Sequence, residues 1–310
     1  MKRTIVLVLV LLVSGLPAFG AALATNTRAV IPQQVQQIIN VDYRRLKESD
    51  SAMQMKAKLL PPNMKQFEDA LKDIGVSVDK DIDTITLASF RNNSGLLIVG
   101  IAQGNFPRKA IYLKLSKQKI KPTKTNGSFV YPMSGGMQMT FLDGNTMLFG
   151  EQTAVKAALD ARDNSSQSLN ANPDVTDMIA SVDRGTVWSV LDAKGTQTML
   201  KSALGQASDL AEYDTLKGRL TGSHYTVDFD HGIDFNLKVL TSDNMTAATL
   251  SSVLKAGLLF KKMNASPTEK TAIEETSVDS DAGKLVVHFK ADDKSFQNLM
   301  ESPMFAAVTH

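Results

Sequence analysis

Apolar and polar positions alternate through Tyr225-Thr226-Val227-Asp228-Phe229 and again through Ile233-Asp234-Phe235-Asn236-Leu237, the period of two that makes a half-buried strand. Between them stands Asp230-His231-Gly232. A three-residue loop there pairs Phe229 with Ile233, Val227 with Phe235 and Tyr225 with Leu237 on one face, whereas a two-residue loop would set Asp234 beside Phe229. The longer loop is therefore predicted, with Gly232 in the left-handed position and Asp228 facing Asp234 on the polar side. The same logic around Asp143-Gly144-Asn145 gathers Met137, Met139, Phe141, Met147 and Phe149 on one apolar face.

Other stretches follow a helical period. In Asn63–Ile74, the residues Met64, Phe67, Leu71 and Ile74 share a face and Gly75 supplies the stop. Helices are also expected over Arg44–Leu60, Arg108–Ser116, Gln152–Asp163, Thr196–Leu204, Asp209–Leu220, Met245–Met263 and Lys294–Ser302. Hairpins alternating with helices, apolar on one face, imply an α+β fold: an antiparallel sheet with helices packed on one side.

The two halves rhyme. The hairpin and helix of Ile85–Leu115 parallel those of Tyr225–Leu254, with Phe90 answering Phe229, Gly95 answering Gly232, Ala110 answering Ala247 and Leu113 answering Leu250. Upstream, apolar strands end at Asp42 and Asp192, each placed to cap a following helix. Downstream, Phe149 matches Phe289 and Leu159 matches Leu299. Two tandem, diverged copies of one module are inferred, residues 25–182 and 183–310, with a polar seam from Asp163 to Asn172 ahead of Pro173. Gly150, between strand and helix, has no glycine counterpart near Lys290. A phosphate cradle needs several closely spaced glycines, so Gly150 is read as an architectural corner.

Composition narrows the setting. Lys2 and Arg3, an apolar run from Ile5 to Val13 and the small-residue tail Ala22-Leu23-Ala24 form a secretory signal layout, with cleavage expected before Thr25. The run is broken at Ser14, Gly15 and Pro17, short of the roughly 20 residues a membrane span needs. A periplasmic or extracellular destination is expected, with no transmembrane anchor. The whole chain carries 34 Lys plus Arg and 32 Asp plus Glu; loss of Lys2 and Arg3 leaves 32 of each. That balance gives no steering toward nucleic acid. The one dense basic stretch, Lys117–Lys124, lacks interleaved aromatics and reads as a solvated strand edge. There is no cysteine, which excludes disulfides, thiol nucleophiles and thiolate metal sites.

The segments VIPQQVQQIINVDYRRLKES and PPNMKQFEDALKDIGVSVDKDIDTITLASF resemble a group of predicted secreted bacterial proteins without an assigned activity. The resemblance implies the compartment and no chemistry.

Nucleophile elbows, a Walker loop and the dinucleotide glycine fingerprint are missing, and the four histidines form no His-x-x-x-His pair. No cofactor is called for. Opposed Asp228 and Asp234, with Asp230 and His231 at the hairpin tip, could hold a divalent cation, or could form a solvated face neutralised by a lysine such as Lys238. Met133, Met137 and Met139 could suit Cu(I) or fill a flexible core face. Trp188, in an apolar strand, is expected to be buried. The reading is a non-catalytic scaffold offering a groove or sheet surface to a protein or small apolar ligand. Its alternatives are a carboxylate hydrolase with a site between the modules, and a divalent-cation binder at the second hairpin.

Overall fold

Glycine-bounded hairpins and capped helices succeed one another twice along the chain. The structure, a computed structural model, describes residues 23–59, 62–92, 95–182, 185–204, 213–303 and 305. The expected signal segment lies outside these residues except at its end, as does the first part of the helix expected over Asp209–Leu220.

The first half runs α1 (Thr25–Val30), β1 (Val35–Asp42), α2 (Tyr43–Leu46), α3 (Asp50–Leu59), α4 (Pro62–Ile74), α5 (Val78–Asp81), β2 (Ile82–Asn92), β3 (Gly95–Gly104), α6 (Arg108–Lys117), β4 (Thr123–Thr125), β5 (Ser128–Pro132), β6 (Met137–Phe141), β7 (Thr146–Glu151), α7 (Gln152–Asp163) and α8 (Pro173–Val182). The second runs β8 (Val187–Asp192), α9 (Ala193–Leu204), α10 (Tyr213–Leu216), β9 (Leu220–Asp228), β10 (Gly232–Thr241), α11 (Asn244–Met263), α12 (Pro267–Glu274), β11 (Thr276–Asp281), β12 (Lys284–Asp292) and α13 (Asp293–Met300).

Local chemistry accounts for several boundaries. Asp42 Oδ1 accepts from Arg45 N at 3.3 Å and Asp192 Oδ1 from Gly195 N at 2.6 Å, so both aspartates cap as expected. The helix expected over Arg44–Leu60 is two helices, because Ser49 Oγ accepts from Ala52 N and starts a second one. Helix α12 opens on a capping box between Ser266 and Glu269. The segment ending at Leu220 is helical only to Leu216, with a 3-10 turn at Lys217–Arg219, after which β9 begins.

All strands join one twelve-stranded antiparallel sheet in the order β11-β12-β10-β9-β8-β1-β2-β3-β7-β6-β5-β4. The two halves meet where β1 pairs with β8, Gln37 opposite Leu191 and Val41 opposite Val187. On either side the order repeats, β1-β2-β3-β7-β6 matching β8-β9-β10-β12-β11. A row of register partners crosses one face from Val278 through Leu237, Tyr225, Ile39 and Leu87 to Tyr131. This is called the front face.

In the second half the helices lie on the front. Leu250 of α11 packs with Val278 and Leu285, and Phe296 of α13 with Phe229 and Ile233. The first half departs from the one-sided packing expected and is covered on both faces. Ile111 and Leu115 of α6 meet Ile85 and Ala102 on the front, while Val155 and Leu159 of α7 meet Val99 and Ile101 on the back. Strand β3, Gly95–Gly104, is apolar on both sides and needs cover on both. Helix α8 extends the back layer over Trp188, which is fully buried.

Gly150 marks where the halves part. Its φ is 150°, and a Cβ there would lie 3.0 Å from the Ile98 carbonyl oxygen. From this junction α7 goes to the back; from the matching end of β12, α13 goes to the front. The glycine is the corner expected of it. The residue correspondences are looser than the topology: Leu250 is fully buried and Leu113 is exposed, since α6 buries Ile111 and Leu115 instead.

Gly100 and Phe149 are register partners, and the Phe149 ring occupies the space of the absent side chain, with its Cζ 2.0 Å from a Cβ built on Gly100. Gly100→Ala is expected to lower unfolding free energy by about 1–3 kcal/mol through overpacking. The checking measurement is urea denaturation, with the midpoint falling and the slope unchanged.

Candidate functional site

The predicted hairpin register is the observed one: Val227 pairs with Phe235, Tyr225 with Leu237 and Asp228 with Asp234. The loop differs in detail, since His231 itself takes left-handed geometry at φ 56° ahead of Gly232 at 131°. The two opposed aspartates face the back of the sheet and each has its own cation. Asp228 Oδ1 accepts from Arg45 Nη2 at 3.2 Å and from Thr186 N and Oγ1 at 2.8 and 2.9 Å. Asp234 accepts from Asn236 at 2.7 Å and lies 3.2 Å from His288 Nε2 and 3.7 Å from Lys290 Nζ. Repulsion across the pair is thus offset by Arg45 and Lys290, and not by Lys238, which pairs with His224.

Asp230 and His231 stand apart at the exposed tip, 3.6 Å from each other. The four residues singled out as metal ligands do not converge, and among the described residues no group of three or more His, Asp or Glu is disposed to hold a metal ion. The methionines likewise serve packing: Met139 and Met147 are fully buried, with Met133 and Met137 against the same cluster.

The hairpin tip instead borders a cleft of about 570 Å³ between the halves. Its walls carry Arg45, Glu48 and Asp50 from the first half and Asp230, His231 and Asp293 from the second. Helix α3 leans on α13 at this point: Ser51 Oγ donates to Asp293, and Lys58 Nζ to the Met300 carbonyl at 3.1 Å. Glu48, Asp50 and Asp293 had no local signal, because what unites them is contact between segments more than 170 residues apart.

A second feature is the front face itself. Where the two groups of helices separate, Leu87, Ile39, Tyr225, Phe235 and Leu237 form a floor that is only half-buried. Strand β3 continues it with Leu96 and Ile98, 53% and 47% exposed. Tyr225 lies against Phe235 with ring centroids 5.9 Å apart, and burial pushes its hydroxyl pKa up. Polar groups on this floor are few: Ser189 is the register partner of both Ile39 and Tyr225. A surface of this kind offers apolar contact and few groups for bond-making chemistry. Tyr225, Phe235 and Leu237 were legible from alternation; their union with Ile39 and Leu87 required the β1–β8 pairing.

No protein-family model matches the chain, and no curated protein matches it. Among solved structures, crystal form III of TP0453 is similar over 88% of this chain and 96% of that one, with a TM-score of 0.50 and 8% identity. Crystal form I of TP0453 covers 88% of this chain and 95% of its own, with a TM-score of 0.48 and 10% identity. The likeness is one of fold.

His224, on the back of the sheet, is held to a pKa of about 4 by burial, then by Lys238 and Lys284. The folded protein therefore keeps this imidazole neutral in a range where the unfolded chain, titrating near 6.5, takes up a proton. Stability should rise with pH across that window and be lost as pH falls from 6.5 toward 4, by at most about 3 kcal/mol. Denaturation series at several pH values should show this slope in the parent and a flatter one in His224→Gln.

Proposed function

We propose that the mature chain is an exported, non-catalytic scaffold that binds a protein segment or a small apolar ligand along the front-face trough. The observation that carries this reading is the half-buried floor of Leu87, Ile39, Tyr225, Phe235 and Leu237. Sheet residues beneath helices are ordinarily sealed, and covering what these side chains still expose would contribute about 25 cal/mol per Å² of apolar surface. A free apolar surface of this kind favours an occupant. The N-terminal layout and the cysteine-free composition support export to the periplasm or beyond the cell. The repeated strand order supports descent from a doubled module, with the trough running across the junction.

A carboxylate hydrolase with its site between the halves is the second reading, supported by the cleft that brings Glu48, Asp50, Asp230 and Asp293 to one opening. Turnover of a chromogenic ester or glycoside by the parent, lost in Asp293→Asn, would favour it over the scaffold.

The trough is tested with the apolar fluorophore N-phenyl-1-naphthylamine. Saturable enhancement is expected, with affinity about tenfold weaker in Tyr225→Asp and in the more exposed Ile98→Asp, a loss near 1.4 kcal/mol. Absence of enhancement, or equal affinity in parent and variants, would refute the assignment.

A further inference from the structure

The sheet has two free ends, and they differ. Among the described residues no strand pairs with the outer edge of β11 or of β4. At the β11 end, Asp279 and Asp281 are exposed within the strand, with Glu274 and Glu275 just before it; Lys255 answers Asp279 at 3.3 Å and Lys262 answers Glu274 at 2.7 Å, leaving Asp281 and Glu275 outside these ion pairs. At the β4 end, Lys124 lies in the strand, and Lys117, Lys119 and Lys121 precede it, all exposed. Charged edges prevent sheets from pairing through like ends. Ends of opposite sign block β11 against β11 and β4 against β4, yet attract β11 to β4.

We propose that a second copy of this chain adds to the sheet head-to-tail, its β4 edge docking on the β11 edge of the first. Strand direction permits it. Twelve strands, each antiparallel to its neighbour, leave β11 and β4 running in opposite directions. A copy displaced sideways with the same face forward therefore presents β4 antiparallel to β11, and the alternation continues across the joint. An odd number of strands would have brought the edges together in parallel. Because each strand turns against the last by about 20°, successive copies follow a screw path and the assembly is open-ended.

A second feature coincides with the charge. Helix α11 lies on the front face over β11, with Leu250 packed against Val278 and Lys255 Nζ 3.3 Å from Asp279. Its last turns leave Leu259, Phe260 and Met263 at 65%, 71% and 76% exposure. At the opposite end, Phe129 of β5 is 60% exposed. Phe129 is two residues from Tyr131, whose register partner is Met139, and so it also belongs to the front face. Continuing the sheet brings the apolar end of α11 and the neighbour's Phe129 to the same side of the joint. Only three residues of β4 are strand, so the association is expected to be weak and to depend on concentration.

Sedimentation velocity on the mature, signal-free chain tests this. At low ionic strength the weight-average mass should rise with concentration to about twofold or more, and high salt should reverse the rise. Asp279→Lys/Asp281→Lys and Lys121→Glu/Lys124→Glu should each remain monomeric alone. Mixed together, each supplies the edge sign the other needs, and association should return. Phe260→Ser, whose side chain is exposed, should weaken self-association with charges intact and remains informative if a charge variant misfolds. A parent that is monomeric at all concentrations would overturn the proposal. So would association that survives charge reversal unchanged, or a mixture that does not recover it.

Discussion

The pairing of β1 with β8 carries the architecture. Each strand would otherwise be the exposed edge of a half-sheet, with a row of unmatched amides and carbonyls at the centre of the molecule. Their union satisfies both rows and sets Asn40 beside Trp188 and Ile39 beside Ser189. It also brings α2 and α3 of the first half onto the hairpin and last helix of the second, where Arg45 meets Asp228 and Ser51 meets Asp293. Trough and cleft both follow from this one junction, since each draws its walls from the two halves.

The halves repeat a strand order and diverge in how they are clothed. Gly150 turns the chain so that α7 covers the back of the first half, while α13 stays on the front of the second. One consequence is a first half packed on both faces. The other is a front surface over the middle strands that the described helices do not seal. The back of the second half carries Asp228, answered by Arg45, and Asp234, beside His288 and Lys290, with His224 facing Lys238.

The same accounting separates the candidate sites. The two aspartates that alternation placed face to face are neutralised by cations from elsewhere in the fold, so their proximity reflects a balanced network. The cleft gathers carboxylates without any local motif. The trough has no motif either and is defined by incomplete burial. The features that stand out are surfaces and edges more than any cluster of reactive groups.

Sequence by itself determined the hairpin registers, the caps at Asp42 and Asp192 and the burial of Trp188, because each depends on neighbours within a few residues and on periods of two or 3.6; of the lysine-rich stretch read as a strand edge, only Lys124 lies in a strand. The antiparallel α+β class was legible for the same reason. Tertiary structure decided which strands meet, that β1 and β8 fuse the halves into one sheet, and that Arg45, rather than Lys238, answers Asp228. It also decided that α7 and α13 leave equivalent strands toward opposite faces. These outcomes join segments up to 183 positions apart, as at Arg45 and Asp228, and no local periodicity encodes the partner of a distant strand edge.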